Sequence, residues 1–177
     1  MKSSSNDFNR NSSLNYALNI LSKRNITTVK LRQKMVKKGF PEEEITETVN
    51  KLIEWKYLDD YSYAVSYVKA KNQKYSRSKI FYELLNLGIA KDLVTDVLED
   101  FYNEEREYTN CLELAYKIWN AEGEKWKEKY QKNRFGYRFY SRRTYLEKKL
   151  ADKLLAKGFP PNIVRSVLSR VLIEEDF

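Results

Sequence analysis

Three copies of one helical unit run through this chain, and each copy places an apolar residue four positions before a glycine. The copies lie at 31–40 (Leu31, Met35, Gly39, Phe40), 80–89 (Ile80, Leu84, Gly88, Ile89) and 150–159 (Leu150, Leu154, Gly158, Phe159). Each continues through a short acidic or prolyl linker into a second apolar stripe: Ile45, Val49 and Leu52; Val94 and Leu98; Val164, Leu168 and Val171. Self-similarity at this spacing points to an array of stacked helical units, a fold used for binding along a surface more than for chemistry. Glycine suits the end of such a helix, because a left-handed residue closes it and only glycine adopts that backbone without steric cost. Pro41 and Pro160 fit a following first turn. Glu42, Glu43 and Glu44 then face the positive end of one helix dipole, and Lys37 and Lys38 the negative end of another. A ligand loop is the competing reading, and the capping pattern disfavours it.

A further helical stretch precedes each pair: Leu14, Leu18 and Leu21; Tyr63, Ala64, Tyr67 and Val68; Leu112, Ala115, Ile118 and Trp119. The fold expected is therefore all-α, three tandem three-helix repeats. Gly39 and Gly88 are 49 residues apart, but Gly88 and Gly158 are 70 apart, while Ala64 and Ala115 keep a spacing of 51. The third repeat thus holds an insertion of 19 residues, at about 122–143. The expected divisions are a flexible tail at 1–13 and repeats at 14–58, 59–107 and 108–177. Five Gly, three Pro and no sustained alternation of polarity agree with an all-helical chain.

Charge is uneven along the sequence: net +5 over 1–58, −3 over 59–107 and +6 over 108–177. A basic–acidic–basic order fits a patterned partner, such as protein assembled on nucleic acid, better than bare duplex. The insertion interleaves cations with aromatics: Lys125, Trp126, Lys127, Tyr130, Arg134, Phe135, Tyr137, Arg138, Phe139, Tyr140, Arg142 and Arg143. Such interleaving builds a surface for unpaired bases and phosphates. Aromatics packed inward under solvated charges are the plainer alternative.

Catalytic constellations are hard to assemble here. With no histidine there is no imidazole base, no His-bound zinc and no Ser-His or Cys-His pair. Asp59-Asp60 invites an acid–base or metal reading, yet it directly precedes a helix, where Asp is a favoured N-cap. The single cysteine, Cys111, cannot close an intramolecular disulfide and begins an apolar stripe, so it reads as a small hydrophobe rather than a reactive thiol. Residues 1–13 are polar and carry no signal-type apolar core, and no run reaches the length of a membrane span. A cytoplasmic protein that is not an enzyme, with no cofactor, no metal and no membrane partner, is the expectation.

The string Trp55-Lys56-Tyr57-Leu58-Asp59-Asp60-Tyr61-Ser62-Tyr63-Ala64, followed by Arg77-Ser78-Lys79-Ile80-Phe81-Tyr82-Glu83-Leu84-Leu85-Asn86-Leu87-Gly88-Ile89, resembles the RecX family of bacterial recombination regulators. The outer glycine-capped segments fit its flanking repeats. Two positions depart from the family pattern: Lys56 and Tyr75 stand where glycine is common. The resemblance implies an elongated, curved array of three-helix repeats, expected to be a monomer. Its implied partner is a RecA-type recombinase filament on single-stranded DNA, whose ATPase and strand exchange it would inhibit, favouring disassembly. Some family members also contact DNA, single-stranded or duplex. The candidate contacts are Lys30, Arg32, Lys34, Lys37 and Lys38 at one end, and Arg134, Arg138, Arg142, Arg143, Lys148, Lys149 and Lys153 at the other. Solvated helix faces are the alternative for both sets. A rival function of another class is direct nucleic-acid binding by a three-helix module.

Overall fold

The computed structural model describes the backbone of residues 4–132 and 141–175 and the side chains of 12–128 and 141–173. All regular structure among them is helical: α1 (Ser4–Leu21), α2 (Thr28–Lys38), α3 (Glu42–Glu54), α4 (Asp60–Lys71), α5 (Arg77–Asn86), α6 (Lys91–Phe101), α7 (Glu104–Lys132), α8 (Arg142–Ala156) and α9 (Pro161–Glu175). Two compact units result. One gathers the described residues up to 67 with 83–97, and the other gathers 68–82 with those from 98 onward. Their division runs through α4, α5 and α6 and so does not follow the repeat boundaries at 58 and 107.

The first unit's core is the set the periodicity selects. Ala17, Leu31, Met35, Ile45, Val49, Leu52 and Leu58 are buried together where α1, α2 and α3 pack on one another. In the second unit α7, α8 and α9 enclose Cys111, Ala115, Trp119, Leu146, Leu150, Leu154, Phe159, Val164, Val167 and Val171. Each Leu or Val so enclosed contributes about 1.5–3 kcal/mol over its exposed state. Within α9, Val167 is fully buried and the expected Leu168 only partly so, a shift of one position around the helix.

The three glycines close their helices as the sequence predicts, with φ of 94° at Gly39, 88° at Gly88 and 86° at Gly158. The hydrogen bonds repeat too. Gly39 N–H donates to Val36 O and Phe40 N–H to Met35 O; Gly88 donates to Leu85 O and Ile89 to Leu84 O; Gly158 donates to Leu155 O and Phe159 to Leu154 O. This paired arrangement is the Schellman motif, with its apolar contact between the residue after glycine and the last helical turn.

Helix ends meet helix ends in both units. In the first, Thr27 caps α2 by accepting from Lys30 N–H, while its hydroxyl donates to Leu87 O at 2.6 Å. Thr28 N–H donates to Asp60 Oδ1 at 2.8 Å. In the second, Ser76 caps α5 by accepting from Lys79 N–H, and its own N–H donates to Lys157 O at 3.1 Å. Arg77 N–H donates to Glu107 Oε1 at 2.8 Å. A hydroxyl N-cap, a glycine C-cap and an acid thus form the same junction twice, satisfying groups that helix termini leave unpaired.

Two helices run further than the apolar stripes that mark them. α1 begins at Ser4, inside the stretch assigned to a tail. Ser13 is buried, sharing a hydrogen bond of 2.9 Å with Thr48, and once those turns are anchored each further residue adds a helical bond at little cost. α7 likewise continues unbroken to Lys132, so the start of the insertion is helical.

Candidate functional site

α2 carries the first set of candidate cations, and the helix divides them. Leu31 and Met35 turn to the core. Lys30, Lys34 and Lys37 recur at i, i+4 and i+7 and share one stripe beside it. Lys37 and Lys38 are exposed in the last turn, where the helix dipole favours cations. Arg32 lies on another side and is engaged within the fold: its guanidinium pairs with Glu42 and donates to Thr46 Oγ1 at 2.8 Å.

α8 carries the second set. Ser141 caps it by accepting from Thr144 N–H at 3.1 Å. Arg142, Arg143, Lys148 and Lys149 are exposed. Arg142 leans on the buried Gly123, where an added Cβ would come within 3.2 Å of its Nη2. Lys149 Nζ stands 5.8 Å from the centre of the Tyr145 ring. Cations in a helix's first turn oppose its dipole, so Arg142 and Arg143 gain nothing there from α8 itself. Lys153 is drawn inward, donating to the buried Glu122 at 2.8 Å, and Lys125 does the same at 2.8 Å. Those bonds hold the Glu122 carboxyl down at about 2 against the cost of burial. Arg134 and Arg138 lie outside the described residues. Trp126 is buried against Tyr145, ring centres 5.0 Å apart, so this member of the aromatic insertion is core and not a stacking face.

The residues weighed for chemistry turn out to hold helices. Asp59 accepts from Tyr61 N–H, Ser62 N–H and the Ser62 hydroxyl, and the last of these leads in lowering its pKa. Asp60 serves α2 through Thr28, so the two carboxylates are committed to different helix ends. Cys111 is wholly buried, and burial pushes its thiol up to about 12, which keeps it protonated.

Two surface features escaped sequence reasoning. Ile53, Trp55, Tyr57 and Tyr61 are exposed around the α3–α4 turn, with Trp55 and Tyr57 packed edge to face. Lys56 within that turn takes a left-handed backbone, φ 60°. In the second unit, three ammonium groups surround the half-buried Tyr75: Lys79 Nζ at 4.7 Å from the ring centre, Lys71 at 5.0 Å and Lys157 at 5.1 Å. The net charge of −3 over 59–107 hid this cluster, and Lys157 joins it from a distant helix.

Residues 14–52 match the family described as RecX, first three-helix domain. The regulatory protein RecX of Clostridium perfringens strain SM101 is 31% identical over 161 residues, which cover 91% of this chain and 69% of that protein. The regulatory protein RecX of Caldanaerobacter subterraneus subsp. tengcongensis is 39% identical over 111 residues, 62% of this chain and 56% of its relative. The chain therefore spans little more than half of one relative and about two thirds of the other. The crystal structure of RecX from Lactobacillus salivarius superposes with a TM-score of 0.72 at 25% identity, covering 94% of this chain and 99% of that one. A second crystal structure, of a regulatory protein RecX, gives 0.68 at 23% identity, covering 90% and 72%. Fold and surface define an all-helical protein of recurring glycine-capped helix pairs whose Asp59-Asp60 pair holds helix ends. Within that class, this chain belongs to the RecX family of regulatory proteins.

Proposed function

We propose that the chain binds a RecA-type recombinase filament on single-stranded DNA, inhibits its ATPase and strand exchange, and favours its disassembly. The observation that carries this reading is likeness to proteins named regulatory protein RecX over nine tenths of the chain. The α2 stripe of Lys30, Lys34, Lys37 and Lys38 and the α8 set of Arg142, Arg143, Lys148 and Lys149 are the proposed electrostatic contacts. The exposed aromatics Trp55, Tyr57 and Tyr61 add the residue types that dominate protein–protein binding energy. Arg32 and Lys153 leave the contact set, because each is engaged within the fold. Several weak contacts on one body give avidity without a strong single site.

The test is direct. Adding the protein to a recombinase–single-strand complex is expected to slow ATP hydrolysis in proportion to protein added, and an unchanged rate at saturation overturns the reading. A second reading, direct binding of nucleic acid, is favoured by the net charge of +8 and the lysines around Tyr75. Affinity for bare single strand and for recombinase-coated strand separates the two. A steep salt dependence with no gain from the recombinase supports the second.

A further inference from the structure

We propose that Lys71, Lys79 and Lys157, gathered around Tyr75, form a seat for the phosphodiester backbone of a single nucleic-acid strand. The inference rests on the second reading, direct contact with nucleic acid, and needs no recombinase.

The last turn of α4 supplies Lys71, the first turn of α5 supplies Lys79, and the residue ending α8 supplies Lys157. Each ammonium lies close to 5 Å from the Tyr75 ring centre. No two of them can therefore be more than about 10 Å apart, one Debye length at 0.1 M salt, so their repulsion is not screened away. Lys79 Nζ also donates to Ala156 O at 3.3 Å, which fixes it at the end of α8. Among the described residues neither Lys79 nor Lys157 forms an ion pair with a carboxylate. Their charge rests on a ring face and a carbonyl, and so remains free to attract an anion.

All three groups are lysines, compact point charges that can each take a single phosphate oxygen without the planar bidentate geometry that arginine imposes. The ring holds cations over its surface, which makes Tyr75 an organiser of charge and not a stacking platform for bases. Lys69, also in the last turn of α4, stands 4.8 Å from the Phe101 ring centre and continues this use of aromatics to hold lysines. More than one such cation favours a repeating polyanion over a lone phosphate.

The experiment measures binding of the full chain to a fluorescent oligothymidylate across a salt series. Changing Lys71→Gln, Lys79→Gln and Lys157→Gln together is expected to weaken binding and lower the slope of log affinity against log salt by about 2, roughly 0.7 per lysine for a single strand. Glutamine keeps a donor toward Ala156 O, and Lys157→Gln alone, expected to lower the slope by about 0.7, serves if the triple variant does not fold. The three Lys→Arg changes are expected to keep the slope. A control with Lys51, Lys91 and Lys117 changed to Gln, all exposed elsewhere, is expected to keep it too. Equal slope loss in that control overturns the site, as does an unchanged slope in the triple variant. Displacement of the oligonucleotide by polyglutamate as readily as by unlabelled oligothymidylate would assign the seat to an acidic protein instead. Displacement by inorganic phosphate at matched charge would reduce it to a free-phosphate site. A parent that fails to bind ends the second reading and the seat together, whereas a binding parent with an unaffected variant ends the seat alone.

Discussion

Gly39 and Gly88 share a backbone conformation but not a neighbourhood, and that separates strain from packing. A Cβ at Gly39 would meet nothing within 4 Å, whereas one at Gly88 would fall 2.5 Å from Val29 Cβ. Gly39→Ala is expected to cost ~1 kcal/mol from positive φ alone. Gly88→Ala carries the same strain plus a clash with an atom one bond from the backbone, so ~3 kcal/mol or more is expected. Urea denaturation of both variants checks the difference, and equal midpoints would remove the contact with Val29 from the account. Lys56 presents the opposite case, a side chain where glycine would be at ease. A left-handed lysine costs roughly 1–2 kcal/mol, while glycine loses roughly 0.5–1 kcal/mol of chain entropy. Lys56→Gly is therefore expected to raise stability by up to ~1 kcal/mol, read as a higher midpoint in the same titration. A lower midpoint would mean that the lysine side chain contributes more than its backbone loses.

Among the elements, α8 offers the sharpest test of function, because its N-terminal cations do not serve the helix that carries them. Replacing Arg142 and Arg143 with Glu places acids in a first turn, where the dipole favours them by about 0.3–1 kcal/mol per residue. Helicity is thus expected to hold while inhibition of recombinase ATPase weakens and loses salt dependence. Undiminished inhibition would move the contact surface to α2 or to the aromatic turn. The elements also show what was legible beforehand. Glycine caps, the stripes of α2 and α3 and the buried Cys111 follow from neighbours within a turn or two, where residue type and spacing decide the outcome. Pairings across the chain do not. Lys153 is 31 residues from the Glu122 that captures it, and Lys79 is 77 residues from the Ala156 carbonyl it reaches. Asp60 likewise looked like the cap of the helix it begins, and it instead serves Thr28, 32 residues upstream. The upstream turns of α1 leave no signal because polar sequence carries no stripe, although a helix needs none to extend from anchored turns.

For the whole molecule, the question is how much of its function survives when one end is removed. A fragment ending at residue 107 keeps every residue of the first unit, including the Ala17–Leu58 core and the Thr27–Leu87 junction. It strips the segment 68–82 of α8 and α9, so Ser76 loses Lys157 O and Lys79 loses Ala156 O. Arrays of repeats tolerate such a loss, because each unit retains its own interface while the cut edge frays. Net charge falls from +8 to +2, the sum of +5 and −3, so long-range attraction to a polyanionic assembly falls as well. The expected outcome is a fragment with a clear helical signal and a lower melting temperature that scarcely slows recombinase ATPase. Contacts multiplied along one body lose far more than half their strength when half are deleted. Should residues 1–107 inhibit as fully as the parent, the avidity model fails and the function belongs to the first unit, where the α2 lysines and the exposed aromatics of the α3–α4 turn would have to supply it.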